Sequence, residues 1–139
     1  MFEYLENRKV YLVYVPLIIY WIALFIATTL PVSNLPSIDI SDKLKHFSAF
    51  LGLSVLLNLT LIYQNKILIF KKYFMIAAII ICSFYGLLDE IHQSFVPGRN
   101  SEFLDWFADS VGAAVGSLII FYLIKKSKYL PKPANKFAD

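Results

Sequence analysis

Four long apolar runs leave this chain few ways to fold. They are Tyr11 to Leu30, which no charge interrupts, about His46 to Tyr63, about Tyr73 to Leu88, and about Trp106 to Ile124. A helix crosses a bilayer with about 20 residues, within a range of about 17 to 25. The first, second and fourth runs meet that length. The third meets it if its helix continues through Asp89, Glu90 and Gln93, and it is expected to. The runs lack the alternation of strands, and only helices or closed barrels span lipid. The expected fold is therefore an all-α integral membrane protein, a bundle of four transmembrane helices. The chain has 139 residues, of which 58% are hydrophobic. A soluble domain of this size holds nearer about half. One compact unit is expected, with a cytoplasmic N-terminus over 1–10, a four-helix domain over 11–125 and a basic cytoplasmic tail over 126–139.

The charges between the runs suggest an orientation. Ten of the Lys and Arg residues lie before the first run, between the second and third, or after the fourth. Three (Lys43, Lys45 and Arg99) lie in the other two connections. The positive-inside rule then places both termini in the cytoplasm. The acids Asp39, Asp42, Asp89, Glu90, Glu102, Asp105 and Asp109 gather toward the outer face. The first run follows a mixed-charge start, is long for a signal core and precedes no clear small-x-small site, so it is expected to remain as a span. Pro16 is expected to kink it. Pro31 and Pro36 should shape an extended connection, and Val96-Pro97-Gly98 should break the third helix. Asn100 or Ser101 is the expected cap of the fourth helix, with Glu102 near its positive end. The Pro-containing basic tail is expected to lie disordered at an anionic leaflet. The lone cysteine, Cys82, reads as a small packing residue.

Polar residues inside such runs are costly, so their pattern is informative. Asp42 and His46 are four apart at the start of the second helix, with Lys43 beside them. Asp89 and Gln93 are four apart at the end of the third, and Glu90 is three from Gln93. Asp105 and Asp109 are four apart in the fourth, and Arg99 lies in the short loop before it. Each piece has a plainer reading. Asp42 reads equally as a cap or first-turn acid, and His46 as a packed histidine bonded to a carboxylate. Asp89 and Glu90 read also as a solvated helix end, and Arg99 as their neutraliser. Gly112 and Gly116 form a small-xxx-small contact, and His92 falls off the Asp89/Gln93 line at a peripheral interface. Asp109, about two turns inside its helix, should meet a partner such as His46 or Arg99.

Together these residues predict a narrow polar pocket, open outward and floored by small residues. A histidine held by a carboxylate serves as base or nucleophile. An arginine fork suits phosphate, and Lys43 adds a point charge. The expected roles are therefore catalytic for His46, Asp42, Asp89, Glu90, Asp105 and Asp109, and substrate-binding for Arg99, Lys43 and Gln93. Acids from three helices offer an alternative, a site for Mg²⁺ or Mn²⁺. The expected partner is a membrane lipid, whose phosphate head group lies at this depth, not a nucleic acid.

Three stretches also resemble one known family. They are Asp42-Lys43-x-x-His46-Phe47-x-x-Phe50, Tyr85-Gly86-x-x-Asp89-Glu90-x-x-Gln93-x-Phe95-Val96-Pro97-Gly98-Arg99, and Asp105-x-x-x-Asp109-x-x-Gly112. This combination resembles the VanZ-like membrane proteins over roughly residues 10 to 125. The family's pattern often has Asn where this chain has Asp109. The resemblance implies a small multi-helix protein of a bacterial plasma membrane. It also implies a link to teicoplanin resistance, and an activity among enzymes that modify lipid head groups. With that resemblance the expected partner is a membrane lipid or a lipid-linked cell-wall precursor, and a protein that only binds a lipid, precursor or antibiotic would carry the same charges.

Overall fold

The computed structural model describes residues 1–30 and 41–127. The expectations for Pro31, Pro36 and the end of the basic tail lie outside the described residues. Helices α1 (Phe2–Asn7), α2 (Val15–Thr29), α3 (Asp42–Tyr63), α4 (Leu68–Lys72), α5 (Phe74–Gln93) and α6 (Phe103–Ser127) follow one another. Four helical segments among the described residues are long and apolar enough to cross a membrane: Val10–Thr29, Asp42–Tyr63, Phe74–Gln93 and Phe103–Ser127. The third does continue through Asp89, Glu90 and Gln93. In lipid this is the structure that lets each backbone N–H and C=O pair within its own segment. The two short helices α1 and α4 are additions to the expected set.

Pro16 leaves its mark at the start of the first span. A π-helical turn, Val10–Tyr14, runs into α2, and Pro16 falls in the first turn of α2. There its missing N–H leaves no bond unmade within α2. At the other end of the bundle, α5 stops at Gln93, and Gly98 turns the chain with φ +79°. That left-handed conformation suits glycine. The sequence Val96-Pro97-Gly98 thus breaks the helix as expected, and the Arg99 N–H closes a turn onto the Val96 carbonyl at 3.1 Å.

The start of α6 departs from expectation. Neither Asn100 nor Ser101 is the residue next to the helix, which begins at Phe103. The N–H of Glu102, just before it, donates to Glu90 Oε2 at 2.8 Å. A carboxylate from α5 thus meets an N–H at the positive end of the next helix.

α3 and α6 form the spine of the bundle. A Cβ on Gly112 would lie 2.2 Å from the Phe47 carbonyl oxygen, and one on Gly116 would lie 2.7 Å from that of Leu51. The two backbones approach so closely because both positions lack a side chain. Below this contact, Ser54, Asn58 and Ser117 are all fully buried. Ser54 Oγ donates to the Ala113 carbonyl at 2.7 Å, and Asn58 Nδ2 donates to Ser117 Oγ at 2.9 Å. Cys82 packs with Phe50, Leu53, Ala78 and Ala113 in the main core, as a small apolar residue would. The outer faces carry Ile18, Ile22, Ile80, Phe84, Leu118 and Phe121 exposed, as helices facing hydrocarbon do.

Candidate functional site

Three helix ends meet where the polar residues cluster: the start of α3, the end of α5 and the start of α6. The end of α2 joins them. Asp89, Glu90, Gln93, Asp105 and Asp109 are all buried there. The centre of the cluster is a histidine–carboxylate pair, His46 Nδ1 and Asp109 Oδ1, 3.0 Å apart. With Asp109 ionised the carboxylate only accepts, and in that state Nδ1 carries the proton and Nε2 is the nitrogen left for another partner. Gly86 makes room for this arrangement, since a Cβ there would lie 2.8 Å from Asp109 Oδ2. Glu90 stands on the same side, with Oε1 3.9 Å from His46 Nδ1.

The other expected residues divide between two sides of His46. On the α6 side, Lys43 Nζ pairs with Glu102 at 2.6 Å and with Asp105 at 3.2 Å. Glu102, just before α6, and Asp105 within it therefore hold Lys43, which does not line the cavity. On the opposite side, Asp89 Oδ2 accepts from Gln93 Nε2 at 2.8 Å. Arg99 donates to the Gln93 side-chain oxygen at 3.4 Å and to the backbone carbonyls of Ala27 and Leu30. The N-cap of α3 is Ser41, and Asp42 is an acid of its first turn. It lies exposed and pairs with Lys45 at 3.5 Å, so the contact that orients His46 comes from Asp109.

The cavity itself, about 180 Å³, lies between α2, α3 and α5. Asp42, Lys45, His46, Asp89 and Arg99 supply its polar lining, and Leu24, Ala27, Ala49 and Phe50 its apolar wall. This revises the expected pocket in two respects. Glu90, Gln93, Asp105 and Asp109 are not among the residues that line the cavity; α2 takes that place. The floor of small residues formed by Gly112 and Gly116 belongs to the α3–α6 contact instead. Lys45 and the α2 wall are the site residues that spacing did not single out. The Asp42–Lys45 separation of three was the available signal for the first. His92 sits at the α2–α5 interface, as expected, with Nε2 3.2 Å from Thr29 Oγ1.

The sequence profile of the VanZ/LLP1 family matches residues 11–125, which include all of these positions. The chain belongs to the VanZ/LLP1 family. No curated protein and no solved structure matches it. With four apolar spans, this VanZ/LLP1 chain is a multi-pass membrane protein.

A divalent cation is the alternative occupant of the cluster. His46, Glu90 and Asp109 each offer a ligand atom, all within 4.8 Å of one another. Glu90 Oε1 and Asp109 Oδ2 have no hydrogen-bond partner. One nitrogen with two carboxylates suits Mn²⁺ better than Mg²⁺, which prefers oxygen and retains its water. The residues thus fit a cation of the Mn²⁺ kind. Binding it through His46 Nδ1 would displace the proton shared with Asp109.

Proposed function

We propose that this VanZ-like protein acts on the phosphate head group of an envelope lipid, at the outer face of a bacterial plasma membrane, by cleaving or exchanging a phosphoester. The observation that carries this reading is a cavity lined by His46, the cations Lys45 and Arg99, the acids Asp42 and Asp89, and an apolar wall. An amphiphile with an anionic head matches both parts. Arg99 and Lys45 would hold the phosphate, and Lys45 takes the place foreseen for Lys43, which is paired with Glu102 and Asp105. Gln93 and Asp89 would set the position of Arg99 and the polarity of the wall.

Asp109 fixes His46 with Nε2 available, which suits a general base. In cleavage, Nε2 takes a proton from water as the water oxygen bonds to phosphorus. The ester P–O bond then breaks, and the departing alkoxide takes the proton from the imidazolium. In exchange, an alcohol replaces the water. With His46 as the nucleophile instead, the Nε2–P bond forms as the ester P–O bond breaks, the departing alkoxide takes a proton from water, and a second water then breaks the N–P bond to release phosphate and restore the imidazole. The ion pair Lys43–Asp105 and the Glu90 contact to Glu102 would hold the helices around this centre.

The test uses the purified chain in nanodiscs of bacterial lipid extract, followed by phosphorus NMR. New head-group resonances should grow with the wild type and fall by roughly 100-fold or more with His46→Ala, the range of a lost general base. Equal growth with both proteins would refute the reading. A binding-only role is favoured by the existing engagement of Arg99 with α2 carbonyls. In that case teicoplanin susceptibility would shift with expression while extracted lipids stay unchanged.

A further inference from the structure

The cavity is small for a whole lipid. Its volume is about 180 Å³, whereas sites that bury a drug-sized ligand span about 300 to 1,000 Å³. For more of a lipid than its head group to enter, one of the three walls would have to move. α3 is held to α6 by the Gly112 and Gly116 approach and by the Ser54, Asn58 and Ser117 bonds. α5 is tied to α6 through Trp106 Nε1 and the Ser83 carbonyl at 3.0 Å, and through Ser83 and Ser110 at 2.8 Å. α2 is the wall with the least support. Of the most apolar stretch of its span, 11% is buried, against 56% for α3.

Contacts that hold α2 near the cavity include Tyr20 to the Ala49 carbonyl at 3.0 Å, the edge contact of Trp21 with Tyr85, Thr29 to His92, and Arg99 to the carbonyls of Ala27 and Leu30. Arg99 is the charged side chain among these that also lines the cavity. A guanidinium bonds more strongly to an anionic phosphate than to neutral carbonyls. We infer that a phosphate-bearing amphiphile enters by drawing Arg99 away from the end of α2, so that capture of the head group releases this helix and opens the cavity beside it. The inference rests on the proposed ligand class, not on any reaction that follows. Arg99 acts as a positioning residue for α2 when the cavity is empty and as a phosphate ligand when it is filled.

Electron–electron spin-label distances between α2 and α6 test this. Labels at Ile26→Cys and Phe107→Cys, both exposed, report on the full chain in a Cys82→Ala background. The protein is held in dodecyl maltoside, which carries no phosphate. Dioctanoyl phosphatidic acid should convert the closed distance into a longer one, from a minor state below about 10% to the majority. Inorganic phosphate and dioctanoylglycerol, the two halves of that ligand, should each leave the closed distance dominant. Arg99→Gln should show the longer distance without ligand and respond no further. Tyr20→Phe keeps the latch, so it should still respond. A single distance in all arms overturns the proposal, as does an equal response to dioctanoylglycerol. Lipid turnover with no change in distance would remove the latch and leave the proposed function standing. A distance change with no turnover would keep the latch and remove the catalytic reading.

Discussion

Changing Asp109 to Asn alters the charge at the centre of the site and little else. The amide oxygen of Asn still accepts from His46 Nδ1, so the ring keeps its orientation. The imidazolium formed during base catalysis loses its counter-charge. Asp109→Asn should therefore retain the wild-type fold and lower phosphoester turnover by roughly 100-fold, the low end of what a general base contributes. Turnover within a factor of two of wild type in the same phosphorus NMR assay would show that the charge plays no part. Asp109→Ala is a harsher change, because it strands the buried His46 next to Glu90. It should destabilise the bundle by about 3 kcal/mol, the scale of a broken buried pair, as read by denaturant titration in micelles. At this scale the pairing of His46 with Asp109 was within reach of the sequence. Asp109 sits too deep in an apolar helix to be left alone, and His46 and Arg99 were the partners on offer. The destination of Lys43 was not. Helical spacing puts Lys43 next to the His46 face, but Glu102 and Asp105, at the entry to α6 and in its first turn, lie 2.6 and 3.2 Å from it. Competition between helices is settled by three-dimensional distance, which spacing along one helix does not encode.

Between elements, the α3–α6 contact is the tightest feature of the fold. Gly112→Ala places a Cβ against a backbone carbonyl, which has no rotamer to change. The helices must separate, and the expected loss is about 1 to 3 kcal/mol. Asn58→Ala removes bonds to Ser54 and Ser117 in the same seam. It should lose less, about 0.6 kcal/mol, the average for hydrogen bonds between membrane helices. Unfolding of both variants in micelles measures the ranking, and a larger loss for Asn58→Ala would contradict it. The glycines were legible as a small-xxx-small pattern. Ser54 and Asn58, polar and four apart in an apolar run, carried a similar signal. The part played by α2 was hidden. That helix contributes backbone carbonyls at Ala27 and Leu30 and an apolar wall. Every residue carries a carbonyl, and an uninterrupted apolar run gives no sign of which ones will be used.

For the molecule as a whole, the polar site lies at the end of the bundle carrying the α2–α3 and α5–α6 connections, and most of the basic residues lie elsewhere along the chain. The positive-inside rule turns this asymmetry into an orientation. A reporter inserted after Gly98 should read outside the cytoplasm, and reporters fused to either terminus should read inside. A cytoplasmic signal after Gly98 would reverse the orientation and move the proposed chemistry to the inner leaflet. The four-span fold was legible because hydrocarbon permits few alternatives for runs of this length. The function rests on the smaller question of what His46 meets in the cavity. Comparative lipidomics decides it most directly, in a bacterial host without its own copy, expressing wild type or His46→Ala at equal levels. The account predicts that one class of phosphate-bearing lipid falls with the wild type, that a head-group-altered product rises with it, and that neither change occurs with His46→Ala. Identical lipid profiles for the two proteins would contradict it.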